Sequence, residues 1–211
     1  MTMDHLKDGI REILDNVNAV VDDLDEDAVE GFLDAIEAAD HIFLHGAGRS
    51  GLVAQSFGMR LMHLDQKISI VGEVTAPPIE PDDLLICISG SGQTSSVLSV
   101  ARTADDIGGA VYAITGDLDS DLATLADGAI RIDSQIELRQ EQEHEADGSA
   151  TGDGERDYLA RAAGGSYSPL TPMGTLFEDA AMLFLDGVVV ELMHRFDRSE
   201  EEMEELHTNL E

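Results

Sequence analysis

The chain has 211 residues, of which 43% are hydrophobic, enough for one substantial core and more than a minimal domain needs. Acidic residues outnumber basic ones 44 to 12, for a formal net charge of −32, and a field of that sign repels phosphate backbones and anionic membranes, so neither nucleic acid nor a membrane is an expected partner. The apolar segments remain long and patterned, so the acidity does not mark disorder; it fits a halophilic protein, whose carboxylate self-repulsion is relieved by salt screening.

Met1 to Asp8 lacks the basic start and apolar run of a secretory leader, so the mature chain is expected to begin near Met1 and to be cytoplasmic. Leu6, Ile10, Ile13, Leu14, Val17 and Val20 recur at helical spacing, and Val29, Leu33 and Ile36 begin a second pattern, which makes residues 1–40 two N-terminal helices. A short apolar strand follows at His41 to His45, then the loop Gly46-Ala47-Gly48-Arg49-Ser50-Gly51, then a helical pattern through Leu52, Phe57, Leu61 and Leu64. Ile68 to Val71 reads as a strand. Leu84 to Ile88 reads as another and feeds Ser89-Gly90-Ser91-Gly92-Gln93-Thr94 and a helix from about Ser95 to Asp106. Val111 to Thr115 and Gly128 to Ile132 supply two more strands. Cys87, the only cysteine, lies inside an apolar run, where it reads as a buried thiol; its solitude excludes an intrachain disulfide and agrees with a reducing compartment.

Strands alternating with helices, several of them continuous apolar runs, predict an α/β fold of three layers (αβα) with a five-stranded, mostly parallel sheet. Residues 135–168 interrupt this pattern with Glu, Asp, Gly and Ala and are expected to form an acidic, solvated insertion containing His144. A long apolar helix is predicted from about Leu176 to Phe196. Its most apolar part, Ala180 to Val190, carries Asp186 and is too short and charged to span a bilayer. Ser199 and Glu202 have the spacing of a capping box that opens a last short helix. The whole chain reads as one domain, residues 1–211.

Two loops carry the chemistry. Gly46, Gly48 and Gly51 match a dinucleotide fingerprint after a strand, with Glu73 near the place of a ribose-binding acid, and alone they would indicate NAD. The second loop argues otherwise: Ser89, Ser91 and Thr94 set three hydroxyls among Gly90 and Gly92 at a helix N-terminus, where free N–H groups favour an anion. Arg49 and Ser50 of the first loop can converge with that set on one small phosphate. Either loop alone also reads as a tight strand-to-helix turn.

Taken together, Gly46 to Gly51, Met59-Arg60-Leu61-Met62-His63-Leu64 and Ile88 to Thr94 closely resemble the 6-phospho-3-hexuloisomerases of the sugar isomerase (SIS) family. Val71-Gly72-Glu73-Val74-Thr75-Ala76-Pro77-Pro78, Pro172-Met173-Gly174-Thr175-Leu176-Phe177-Glu178 and His207-Thr208-Asn209-Leu210 follow in the same order, so the resemblance covers nearly the whole chain. The glycine-serine loops are common to SIS domains and specify phosphosugar binding; the other segments point to the subfamily. The acidic insertion at 135–168 is the departure.

The resemblance implies interconversion of D-arabino-3-hexulose 6-phosphate and D-fructose 6-phosphate through an enediolate, with no metal and no cofactor. It offers Glu178 as the base and His207 as a proton donor, approaching from a neighbouring subunit of a homo-oligomer, a tetramer by analogy. Gly48, Arg49, Ser50, Ser89, Gly90, Ser91, Gly92 and Thr94 would hold the phosphate, and Glu73 would line the sugar pocket. Each has a plainer reading: Glu178 as a first-turn acid complementing the helix dipole, His207 as a solvated tail residue, Glu73 as a loop acid, Arg49 and Arg60 as partners of surface carboxylates. His41, His45 and His63 read as structural, without the paired spacing of a zinc site. The competing functions are a non-catalytic phosphosugar sensor, an NAD-binding protein, and an SIS isomerase for another sugar phosphate.

Overall fold

The computed structural model describes residues 3–134, 171, 172 and 174–207. The predicted insertion at 135–168, with His144, lies outside them. In chain order the elements are α1 (Asp4–Asp22), α2 (Glu26–Ala38), β1 (Ile42–Gly46), α3 (Arg49–His63), β2 (Ile68–Ile70), β3 (Leu84–Ile88), α4 (Ser95–Ile107), β4 (Ala110–Thr115), α5 (Asp121–Leu125), β5 (Gly128–Arg131), α6 (Thr175–Arg195) and α7 (Glu200–Glu205).

Leu84 to Ile88 is an unbroken run of buried residues because β3 is the central strand of a sheet covered on both faces. The order is β2-β1-β3-β4-β5 and every pairing is parallel. Side chains alternate across it. Ile42, Leu44, Ile86, Ile88 and Ile114 face a core closed by α1, α2, α3 and α6, centred on Phe32, Phe57 and Leu185. Phe43, Leu85, Cys87, Val111 and Ala113 face a smaller core closed by α4 and α5 through Val97, Leu98, Ala101 and Leu122. Burial pushes the Cys87 thiol up to about 12, in keeping with an inert core group.

Polar chemistry fixes the helix ends. Asp25 caps α2 by accepting from the Asp27 and Ala28 N–H groups, and α7 opens with the full Ser199–Glu202 capping box. At the other end of α6, Arg195 meets Glu30, Asp34 and Glu37 of α2 at 2.5, 3.1 and 3.1 Å, tying the two helices together. The element α5, capped by Ser120, was not expected from the sequence, and the sheet is wholly rather than mostly parallel. Among the described residues no helix is long and apolar enough to cross a membrane.

Candidate active site

The sheet order places β2 on one side of β1 and β3 on the other, so the chain reverses its direction of travel between β1 and β3. In an open parallel sheet this is where the loops at the carboxyl ends part and leave a crevice. Both glycine loops rise from that point: residues 47–48 join β1 to α3, and residues 89–94 join β3 to α4.

In the first loop Gly48 has φ +59°, a conformation disfavoured for residues with a Cβ, and its carbonyl accepts the Gly51 N–H at 3.1 Å. This sharp reversal starts α3 at Arg49 and buries Ser50 in its first turn. In the second loop the Ser89 and Thr94 hydroxyls lie 3.1 Å apart, the Ser91 hydroxyl accepts the Gln93 N–H at 3.2 Å, and Gly90 C=O accepts the Gly116 N–H from the end of β4 at 3.0 Å.

The third wall is the start of α6. Phe177 packs its ring on Gly90, where a Cβ would stand 3.1 Å from two ring carbons. The next residue turns to the first loop: Glu178 Oε2 is 3.1 Å from Arg49 Nε, while Asp179 Oδ1 is 3.1 Å from an outer guanidinium nitrogen of Arg49. Neighbouring residues of one turn thus touch both loops. The helices α3, α4 and α6, whose N-termini meet here, lack a side-chain cap, as does α1, whereas α2, α5 and α7 each have one. Uncapped first-turn N–H groups and three converging helix dipoles make this edge receptive to an anion.

Glu178 is the perturbed acid of the site. Burial pushes its carboxyl above the ordinary value; the Arg49 charge opposes that rise and the Asp179 charge adds to it. Its Oε2 atom is buried and makes no well-aligned hydrogen bond, so the Arg49 contact is an ion pair without hydrogen-bond geometry. A desolvated carboxylate beside an anion-receptive crevice is suited to moving a proton to and from carbon.

The remaining expected residues are dispersed. Glu73 is exposed in the loop after β2, at the same carboxyl edge but one strand beyond the crevice. His207 stacks on the buried His63, ring centroids 5.2 Å apart. His63 is the last residue of α3, so about 21 Å of helix separates it from Arg49. Within its own chain His207 therefore stands away from the crevice. His41 bonds Ser69 and stacks on Phe43, and His45 keeps a buried Nε2 without a hydrogen bond. Among the described residues no group of three or more His, Cys, Asp or Glu is placed to hold a metal ion. A separate apolar cavity of about 280 Å³ lies on the α4 face, lined by Phe43, Val71, Ile79, Leu85, Val100 and Ala104. It contains none of the expected site residues.

Sequence reasoning missed Phe177 and Asp179. Their only signal was adjacency to Glu178. It also missed Ser120, which underlies Gly92 from the loop after β4, the next strand along the chain.

The fold and its two loops define the class: a parallel α/β domain with paired glycine loops at its switch point and an acid-bearing helix end between them. The chain belongs to the SIS domain family, whose model matches residues 35–141. A Bacillus subtilis protein named 3-hexulose-6-phosphate isomerase is 35% identical over 96% of this chain and 97% of its own length. An uncharacterized protein of Methanothermobacter thermautotrophicus is 36% identical over 99% of this chain and 98% of its own. A solved structure from Methanococcus jannaschii, described as inferring a function of 3-hexulose-6-phosphate isomerase, superposes with a TM-score of 0.73 at 34% identity, covering 99% of this chain and all of that one.

Proposed function

We propose that this chain is a sugar-phosphate isomerase that interconverts D-arabino-3-hexulose 6-phosphate and D-fructose 6-phosphate. The observation that carries the reading is the desolvated Glu178 carboxylate, fixed between the first loop by Arg49 and the hydroxyl-rich second loop by its neighbour Phe177. Likeness to 3-hexulose-6-phosphate isomerases along the whole chain supports the choice of substrate.

The phosphate sits on the Ser89–Thr94 loop at the start of α4, and the sugar extends toward α6. Glu178 takes the proton from C2, which is acidified by the C3 carbonyl, and a 2,3-enediolate forms. Returning that proton to C3 while the O2 hydroxyl proton passes to O3 leaves the carbonyl at C2. No electron leaves the sugar, so the balance calls for a proton carrier and for donors to the enediolate oxygens. His207 supplies an oxygen proton only if a neighbouring subunit presents it, since its own chain holds it against His63. On this reading the active site is homo-oligomeric, with a tetramer as the expected form.

The test is conversion of D-fructose 6-phosphate to its 3-keto isomer in concentrated KCl, native chain against Glu178→Gln. General-base loss at a positioned carboxylate removes about 10²–10⁴-fold of the rate, with phosphosugar binding retained. A native chain that binds phosphosugars without turning them over would replace this reading with that of a sensor, and a fully active Glu178→Gln would remove Glu178 as the base.

A further inference from the structure

Arg49 stands at the meeting point of two demands. It is the first residue of α3, raised by the first glycine loop, and about half of its side chain is open to solvent. Its guanidinium is engaged by two carboxylates, Glu178 and Asp179, each at 3.1 Å. An anion arriving at the neighbouring loop meets uncapped helix ends and hydroxyls, and Arg49 is the cation poised beside them. Three negative groups would then compete for one guanidinium, whose flat fork of donors serves phosphate as well as it serves carboxylate.

We propose, resting on the isomerase reading above, that Arg49 is a positioning residue shared between the base and the substrate phosphate, so that anion binding withdraws the guanidinium from Glu178. The charged groups whose fields reach Glu178 are Arg49 from α3 and Asp179 from its own helix. Asn16 of α1, which donates to Leu176 C=O at 3.3 Å, is uncharged.

The sign follows from these neighbours. Arg49 is the influence that lowers the proton affinity of Glu178, while burial and Asp179 raise it. Moving Arg49 onto a phosphate removes the lowering influence and leaves the adjacent Asp179 charge uncompensated. The carboxylate then becomes a stronger base as the substrate docks, whereas in the empty site it is held as an ion pair. An unphosphorylated sugar would meet a weaker base in the same place. Phosphate recognition and proton abstraction are thereby coupled through one side chain.

The test reads Glu178 directly. The full chain is labelled with ¹³C at the glutamate side-chain carboxyl, the Glu178 signal is identified by its absence in Glu178→Gln, and its titration is followed with and without saturating inorganic phosphate. The expected result is a midpoint that rises when phosphate binds to the native chain. In Arg49→Gln the midpoint should be raised already and indifferent to phosphate, and Arg49→Lys, which keeps the charge, should restore part of the lowering. A native midpoint that does not move at saturating phosphate overturns the proposal, as does an Arg49→Gln chain that titrates like the native one. Turnover is measured on the same samples: an active enzyme with an unmoved midpoint refutes the coupling alone, while a moved midpoint without turnover upholds it and refutes the isomerase reading.

Discussion

Replacing Gly92 by alanine strikes the second glycine loop and the helix beneath it at once. Gly92 has φ +59°, and a Cβ there would fall inside the van der Waals radii of Ser120 Oγ and Cβ and stand 3.0 Å from Thr115 Oγ1. Ser120 has no room to yield: it is fully buried, accepts the Ala123 N–H at 3.3 Å as the cap of α5, and donates to Asp117 C=O at 2.6 Å. A side chain in the left-handed region costs about 1–2 kcal/mol, loss of the cap about 1, and overpacking about 1–3, so Gly92→Ala should lose about 3–6 kcal/mol. That is a large share of the stability of an ordinary domain. Urea unfolding in concentrated KCl measures it, and Ser120→Gly supplies the control. Glycine is tolerated at a cap, and in that background the clash with Ser120 is gone and only the 3.0 Å approach to Thr115 Oγ1 remains, so adding Gly92→Ala should cost little beyond the backbone share of about 1–2 kcal/mol. A single variant within about 1 kcal/mol of the native chain, or a double variant showing no relief, would refute the steric reasoning.

Two further outcomes test the electrostatics. Burial, then His207 and Arg60, hold the His63 imidazole below its ordinary value of 6.5, so the unfolded chain binds the extra proton first and stability is drawn down as pH falls through 6.5, by at most about 1.4 kcal/mol per pH unit for one proton. His63→Phe, which keeps a ring against His207, should gain on the native chain between pH 7 and 5 in urea midpoints; parallel pH profiles would contradict it. Arg195→Met strands Glu30, Asp34, Glu37 and Glu191 without their shared cation. The thermal midpoint should fall, and fall further at 0.1 M than at 1 M KCl, because the screening length shrinks from about 10 to about 3 Å; an equal fall at both salts would count against a charge-based role.

The parallel core was legible because burial on both faces leaves no polar alternation to confuse the reading: Leu84 to Ile88 is apolar at every position and emerges as the central strand. The capping box at Ser199 and Glu202 was legible for a local reason, since both partners lie within one turn. Helix α5 escaped because five residues with one buried side chain, Leu122, give periodicity nothing to repeat. The position of His207 escaped because its stacking partner, His63, is 144 residues away in the sequence and joins it only through the packing of α7 near the end of α3.

The site divides along the same line, and the division explains why Arg49 has two readings. Glycines and hydroxyls of the two loops were readable because backbone geometry dictates them: a reversal at φ +59° selects for glycine, and the free N–H groups of a bare helix start need acceptors nearby. A cation's partner is not dictated in that way. From the sequence, Arg49 was placed on the phosphate with a surface carboxylate as its plainer reading, and 44 acids made the second choice easy to find. The fold resolves the choice into a relation, because the carboxylate it meets is Glu178, half-buried at the start of α6 beside the loop where the phosphate would dock. Under the proposal the two readings are successive states of one guanidinium. On the proposed reading the empty site pairs Arg49 with Glu178, which offsets the cost of the partly desolvated carboxylate, and the docked anion takes over the guanidinium. If Arg49 is shared in this way, the base is held in an ion pair while the site is empty and gains proton affinity only as the anion docks.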